Sequence, residues 1–272
     1  MTPKIESPFG MRKTNRGVAI AGQNRIMLFT FGVLILLVTL LGLASSAQPA
    51  VIKSVQSGTT SFGGGSTTVT ITSVDTTKAF LLFGISEPDQ TSAWDYLISG
   101  QITNATTLTF ARPGNNKTVT VYWYVAEFSS GVSVQRGSAN MRGKTTVNQP
   151  ITAVDTTKSF PIVSYRDSGT NNLSANCLLK SKITSATNLE LALRANGDGT
   201  SVAEWQVVTY TDASVTSGDI SFATGSSIGQ DLVRGQITNG TTLTFDRSAT
   251  GVALNLTWYL VQFTDGTTVQ CG

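Results

Sequence analysis

Few residues in this chain are equipped for chemistry. There is no histidine among its 272 residues. That removes the usual general base, Ser-His-Asp and Cys-His nucleophilic sites, and His-ligated zinc. Paired carboxylates remain, as a glycoside hydrolase uses them, and Glu127 is the best-placed acid, beside aromatics. Its counterparts elsewhere in the chain are Thr209 and Gln262, so any such chemistry would belong to one segment, and no catalytic residue is assigned. Asp75 and Asp155 recur in the phrase VDTTK. An Asp followed by two threonines bonds its own backbone in a turn, and a turn is expected here rather than a metal site. NGDGT at 196–200 echoes a calcium loop but lacks the rest of its ligand series, so it too reads as a turn. Gly63, Gly64 and Gly65 precede neither the lysine nor the helix of a phosphate loop. No cofactor and no metal is expected.

The aromatic residues are better organised. Trp123, Trp205 and Trp258 recur at one position, with Val, Leu or Ala two residues away. They are expected in the core, where burial of such a ring is worth about 3–5 kcal/mol. The opposite strand face carries Tyr122, Tyr124 and Phe128, then Gln206 and Tyr210, then Tyr259 and Phe263. An aromatic outer face serves either as an interface between units or as a binding patch, so Tyr122, Tyr124, Phe128, Tyr259 and Phe263 are the candidate binding residues. Cys177 and Cys271 are able to form a disulfide closing a loop of about a hundred residues, worth about 4–5 kcal/mol by chain entropy. A bond between molecules is equally open. Five N-x-S/T sequons stand at Asn104, Asn116, Asn172, Asn239 and Asn255, and matter only in a host that glycosylates.

These residues sit in repeated blocks. ITSVDTTKAF at 71–80 returns as ITAVDTTKSF at 151–160. GQITNATTLTF at 100–110 returns as GQITNGTTLTF at 235–245, with a worn copy, SKITSATNLEL, at 181–191. A longer block runs over 119–137, 201–218 and 254–272. The blocks divide the chain into units at 49–138 and 139–221 and a truncated unit at 222–272 that lacks VDTTK. Val119, Val121, Trp123 and Val125 alternate with polar or aromatic residues, as do Leu254, Leu256, Trp258 and Leu260. Period two with one apolar face means half-buried strands. Turn sequences occur at Pro113–Asn116, Asn196–Gly199 and Asp265-Gly266. The expectation is all-β: tandem antiparallel β-sandwich repeats of six or seven short strands, strung out as an array. Pro161 places its strand at an edge. The truncated unit would leave a core face and a strand edge exposed unless it borrows strands, from the GDISF stretch at 218–222 or from another molecule.

Residues 1–47 differ from the rest. Five of the nineteen Lys and Arg and one of the sixteen Asp and Glu lie there, followed by the uncharged run at 26–43 and the small residues Ala44, Ser45, Ser46 and Ala47. This is the grammar of a signal peptide, or of a retained signal-anchor helix, with cleavage expected after Ala47. Basic residues stay cytoplasmic, so the remainder is expected on the far side of the membrane. That remainder carries a net charge of −1 and no basic stripe, which excludes the footprint of a nucleic-acid binder.

The VDTTK-F, GQITN-TTLTF and WYV-EF-VQ-G phrases resemble tandem β-sandwich repeats of uncharacterised bacterial secreted and surface, adhesin-like proteins, over about 70–272. The chain is also loosely similar to H-type lectin sandwiches, with no sugar-binding signature carried across. The resemblance implies a secreted or surface, non-enzymatic protein with a structural or adhesive role. Its expected partner is a second copy of itself in a self-assembly, or alternatively extracellular glycans. Contact with a membrane is expected only through the N-terminal segment.

Overall fold

A computed structural model describes residues 48–86, 97–113, 118–168, 178–222, 233–247 and 253–269. The expected leader at 1–47, Cys177, Cys271 and the sequons at Asn116 and Asn172 lie outside the described residues. Within them the chain is all-β, with sixteen strands paired antiparallel in small sheets and no helix.

The first repeat contains β1 (Val51–Phe62), β2 (Ser66–Thr70), β3 (Ala79–Ser86), β4 (Ser99–Asn104), β5 (Thr107–Ala111) and β6 (Val119–Ser130). They form two sheets, ordered β1-β6-β3 and β2-β5-β4. Alternation puts Val119, Val121, Trp123 and Val125 of β6 on one face. They meet Ile102, Leu108 and Phe110 of the second sheet in one buried core. The second repeat repeats this plan with β7 (Val132–Asn140), β8 (Thr146–Pro150), β9 (Ser159–Arg166), β10 (Lys180–Ser185), β11 (Asn188–Ala192) and β12 (Val202–Tyr210), ordered β7-β12-β9 and β8-β11-β10. Pro161 lies in β9, an edge strand as its missing N–H requires. Among the described residues the third repeat has β13 (Ala213–Phe222), β14 (Arg234–Asn239), β15 (Thr242–Asp246) and β16 (Leu254–Phe263), in pairs β13-β16 and β14-β15.

The strand pairing shifts the expected unit limits. β7 spans the expected limit at 138/139 and pairs with β12, and β13 spans the limit at 221/222 and pairs with β16. The longest repeated block therefore holds the last strand of one repeat and the first of the next, joined by a tight turn at Gly131 or at Thr211-Asp212. GDISF belongs to β13 and is the first strand of the third repeat. Among the described residues that repeat shows no counterpart of the second and third strands, which in the others flank VDTTK.

Two local devices explain the repeated phrases. The GQITN-TTLTF phrase is a hairpin, and the side-chain oxygens of Asn104 and Asn239 each accept the amide two residues on: Thr106 N at 2.9 Å and Thr241 N at 3.0 Å. Each tryptophan faces a glycine across the strand pair, Trp123 with Gly58, Trp205 with Gly137 and Trp258 with Gly218. A Cβ on those glycines would sit 2.6, 2.5 and 2.7 Å from the indole. The indole occupies the space a side chain would need, so a larger residue there forces the ring or the strand to shift.

The repeats are not strung out as the sequence suggested. A third apolar cluster joins them, built from the outer faces of the β6, β12 and β16 sheets. Phe128, Tyr210 and Phe263 occupy the same repeat position, and their rings meet edge-on, at 5.6 Å and 5.0 Å. The Ala50 amide donates to Asp212 Oδ2 at 2.6 Å, and Thr211 N donates to Gly131 O at 2.8 Å. Turns and aromatics thus hold the three repeats at a common hub.

Candidate functional site

The VDTTK turns form as their sequence requires. Asp75 Oδ1 accepts from Thr77 N at 2.9 Å and Thr77 Oγ1 at 2.7 Å, and Asp155 does the same with Thr157. These bonds hold both carboxyls below the usual range. Glu127 supports the first turn: it is buried and accepts from the Asp75 amide at 2.8 Å, Lys53 Nζ at 2.8 Å and Ser54 Oγ at 3.0 Å. Burial pushes its carboxyl up, but the three donors outweigh burial and leave it lowered. In the second repeat Ser159 and Thr209 occupy the facing positions of Ala79 and Glu127, and Ser159 Oγ bonds Asp155 O at 2.7 Å and Thr209 Oγ1 at 2.8 Å. Glu127 and the Ser159–Thr209 pair are two ways of anchoring one turn. Glu127 thus spends both carboxylate oxygens on donors that hold the turn and β1.

Each turn holds the repeat that follows. Val134 N donates to Thr77 O and Val215 N to Thr157 O, both at 2.7 Å. Arg136, its guanidinium lowered to about 10 by burial, donates to the carbonyls of Thr76 and Ala79. The outer face of each following sheet then lies against the edge strands of the repeat before it. Gln206 accepts Leu81 N and donates to Leu81 O, both at 2.9 Å, so one amide side chain completes the edge of β3 as a neighbouring strand would. Ser164 Oγ accepts Gly100 N at 3.0 Å on β4. At the next joint the residue after the tryptophan is Tyr259, and the position of Leu81 is Pro161, which has no N–H. Tyr259 reaches past it to accept Ile183 N on β10 at 2.8 Å. Beside it Lys182 pairs with Asp219, which also accepts from Thr257 Oγ1 at 2.6 Å.

In the first repeat only the hub end of that face, at Phe80 and Phe128, joins the shared cluster, and the rest of it, around Val55, Leu82, Tyr122 and Tyr124, is exposed. Val55, Val134 and Val215 stand in the matching phrases SVQSG, SVQRG and SVTSG, and their exposures are 60%, 6% and 8%. Tyr122 and Tyr124 are 46% and 56% exposed, with Leu82 open beside them, opposite Tyr124 in the register of β3 and β6. The third repeat is open in a different way. Ile102 of the first hairpin is 2% exposed, and the equivalent Ile237 is 56% exposed. β16 has β13 on one side and, among the described residues, no strand on the other. A groove of about 470 Å³ lies between the start of β16 and the β10–β11 hairpin, with Lys180, Leu193, Arg194 and Leu254 in its wall.

The residues singled out from the sequence therefore divide. Tyr122 and Tyr124 form an open patch. Phe128 is buried at the hub, and Tyr259 and Phe263 are partly buried against the neighbouring repeat. These three are spent on joints: Phe128 lies at the hub end of the first sheet, and Tyr259 and Phe263 lie on the β13-β16 pair, whereas Tyr122 and Tyr124 lie on the exposed stretch of β6. Trp123 and Trp205 are buried, whereas Trp258 is only half-buried, since the strands that would cover it are missing. The sequence reading missed the glycine partners and Gln206. The glycines were visible as the last residue of the SV-x-x-G phrase. Nothing in the sequence marks Gln206 as an edge cap. Comparison with known proteins finds no family model, no curated protein and no solved structure that matches this chain.

Proposed function

We propose that this is a non-enzymatic, tandem β-sandwich repeat protein, exported to the cell surface or beyond, whose role is structural or adhesive and is exercised through self-assembly. Export rests on the basic leader and apolar run before Gln48. One observation carries assembly: the valine of the SV-x-x-G phrase is buried at both internal joints and open in the first repeat. A surface that has the composition of a joint and no neighbour is the mark of an interaction face. Light scattering on the purified body should show mass rising with concentration, and negative-stain images should show rings or filaments. A strict monomer at millimolar concentration sinks the proposal.

A second reading is favoured by Tyr122 and Tyr124, two open rings two residues apart on one sheet face. Such a platform suits stacking of a sugar ring. It predicts glycan-array binding that Tyr122→Ala and Tyr124→Ala abolish.

A further inference from the structure

Resting on the assembly reading, we infer that the open face of the first repeat docks on the unfinished third repeat of a second copy, head to tail, with Tyr124 accepting the Ile237 N–H of that copy. The repeat positions supply the partners. Tyr124, Gln206 and Tyr259 each follow the recurring tryptophan of their strand, at Trp123, Trp205 and Trp258. Gln206 and Tyr259 each satisfy an edge N–H of the preceding repeat, at Leu81 and Ile183. Tyr124 is the third such residue, and it is 56% exposed.

Ile237 is the third such edge. Ile183 faces Leu189 in the β10–β11 register, and Ile237 faces Leu243 in the β14–β15 register, with the same irregularity one residue later. The two amides therefore point the same way, away from the hairpin partner. The Ile183 amide meets Tyr259; the Ile237 side chain is exposed on an edge that no described strand covers. The absence of a third strand in this repeat does not disable the joint. At Pro161 the second repeat already offers no N–H to Tyr259, and the contact is made on β10 instead, the equivalent of β14. Neighbouring positions are compatible in charge: Gln236 stands where Lys182 does, and Thr59 where Asp219 does, so the ion pair of the inner joint is replaced by a neutral polar pair. Leu82, Val55 and Tyr122 would cover the apolar residues that the missing strands leave open. An interface between two different patches is heterologous, and repeated use gives filaments or closed rings.

The geometry is tested by poisoning one end at a time in the full-length exported body. Tyr124→Lys leaves the third repeat intact, and Ile237→Lys leaves the first. Both positions are exposed, and circular dichroism and thermal melting check that each variant folds; Leu82→Lys on the same face replaces Tyr124→Lys should that variant unfold. Each variant alone should stay monomeric where the unaltered protein assembles. Mixed one to one, they should form dimers of twice the monomer mass and nothing larger, because only one good interface can form. Assembly that persists in either variant alone, or a mixture that stays monomeric, overturns the head-to-tail joint and leaves assembly by another surface. An unaltered protein that never assembles sinks both this inference and the function on which it rests.

Discussion

The first and third repeats share the phrase GQITN-TTLTF almost letter for letter, yet one copy is sealed and the other open. In the first, the hairpin tip receives Ile71 N at Thr106 O and Val74 N at Ala105 O, both at 2.9 Å, and Ile102 is enclosed between sheets. The third repeat has no ITxV segment to meet its tip, and Ile237 faces outward. The comparison teaches that the phrase specifies a hairpin and not a core. Burial comes from strands some thirty residues away in sequence, and deleting them leaves the local structure standing. The outer faces show the converse: the first repeat has a complete interior and an exterior open except at its hub end, and the third an incomplete interior and a covered exterior.

Matched substitutions in the two repeats test this contrast. Gly131 and Gly266 stand eight residues after Trp123 and Trp258, with φ of 73° and 84°. A Cβ at Gly131 would lie 2.3 Å from Ala50 backbone atoms, whereas at Gly266 nothing lies within 4 Å. Gly131→Ala should therefore cost about 4 kcal/mol or more, from left-handed strain plus a backbone clash, and Gly266→Ala about 1 kcal/mol from strain alone. Urea denaturation of both variants measures the gap, and equal losses would refute the wedge at Ala50. Next in size, Ile102→Ala should lose about 2–5 kcal/mol by cavity formation, and Ile237→Ala should stay within about 0.5 kcal/mol. A large loss at Ile237 in the monomer would mean that the third core is closed after all.

A smaller effect is expected at Glu127, whose counterpart in the third repeat is the exposed Gln262. Glu127→Gln should cost about 1–2 kcal/mol at neutral pH, because one carboxylate serves three donors. The lowered carboxyl contributes stability above its ordinary value of 4.5 and loses it as pH falls through the folded value. The difference between the two proteins should accordingly shrink below pH 4.5. Glu204 behaves oppositely. Burial raises its carboxyl, and Ser138 and Arg166 only partly offset this, so folding is favoured while it is protonated and loses stability as pH rises above 4.5. Glu204→Gln should be neutral or stabilising at pH 7, read from melting temperatures across pH 3–8. The smallest effect is optical: in singly retained tryptophan variants, acrylamide should quench Trp258 faster than Trp123.

Much of the architecture could be read from alternation. The strand faces, the buried Trp123 and Trp205, the edge position of Pro161 and the VDTTK turns all follow from side-chain period, missing N–H groups and short-range hydrogen bonds. These are properties of a few neighbouring residues. The limits of the repeats could not be read, because a turn of two residues looks the same whether the second strand returns to its own sheet or enters the next. The aromatic face was legible as a face, but Phe128, Tyr259 and Tyr124 are the same kind of residue in the same alternation. Tyr124 and Phe128 even share β6; what separates a joint from an open surface is where along the strand, and in which repeat, a neighbour packs. Gln206 was illegible for a related reason: a buried amide reads as polar surface until the strand edge it completes is known.

The one-residue turn between β6 and β7 and the two-residue turn between β12 and β13 leave no slack between repeats. A pull along the chain cannot swing one repeat away from the next, as it would across a flexible linker. It must instead load the ladders on either side of Gly131 and Asp212 in the same moment, so the described body should yield as a single spring rather than as a string of beads.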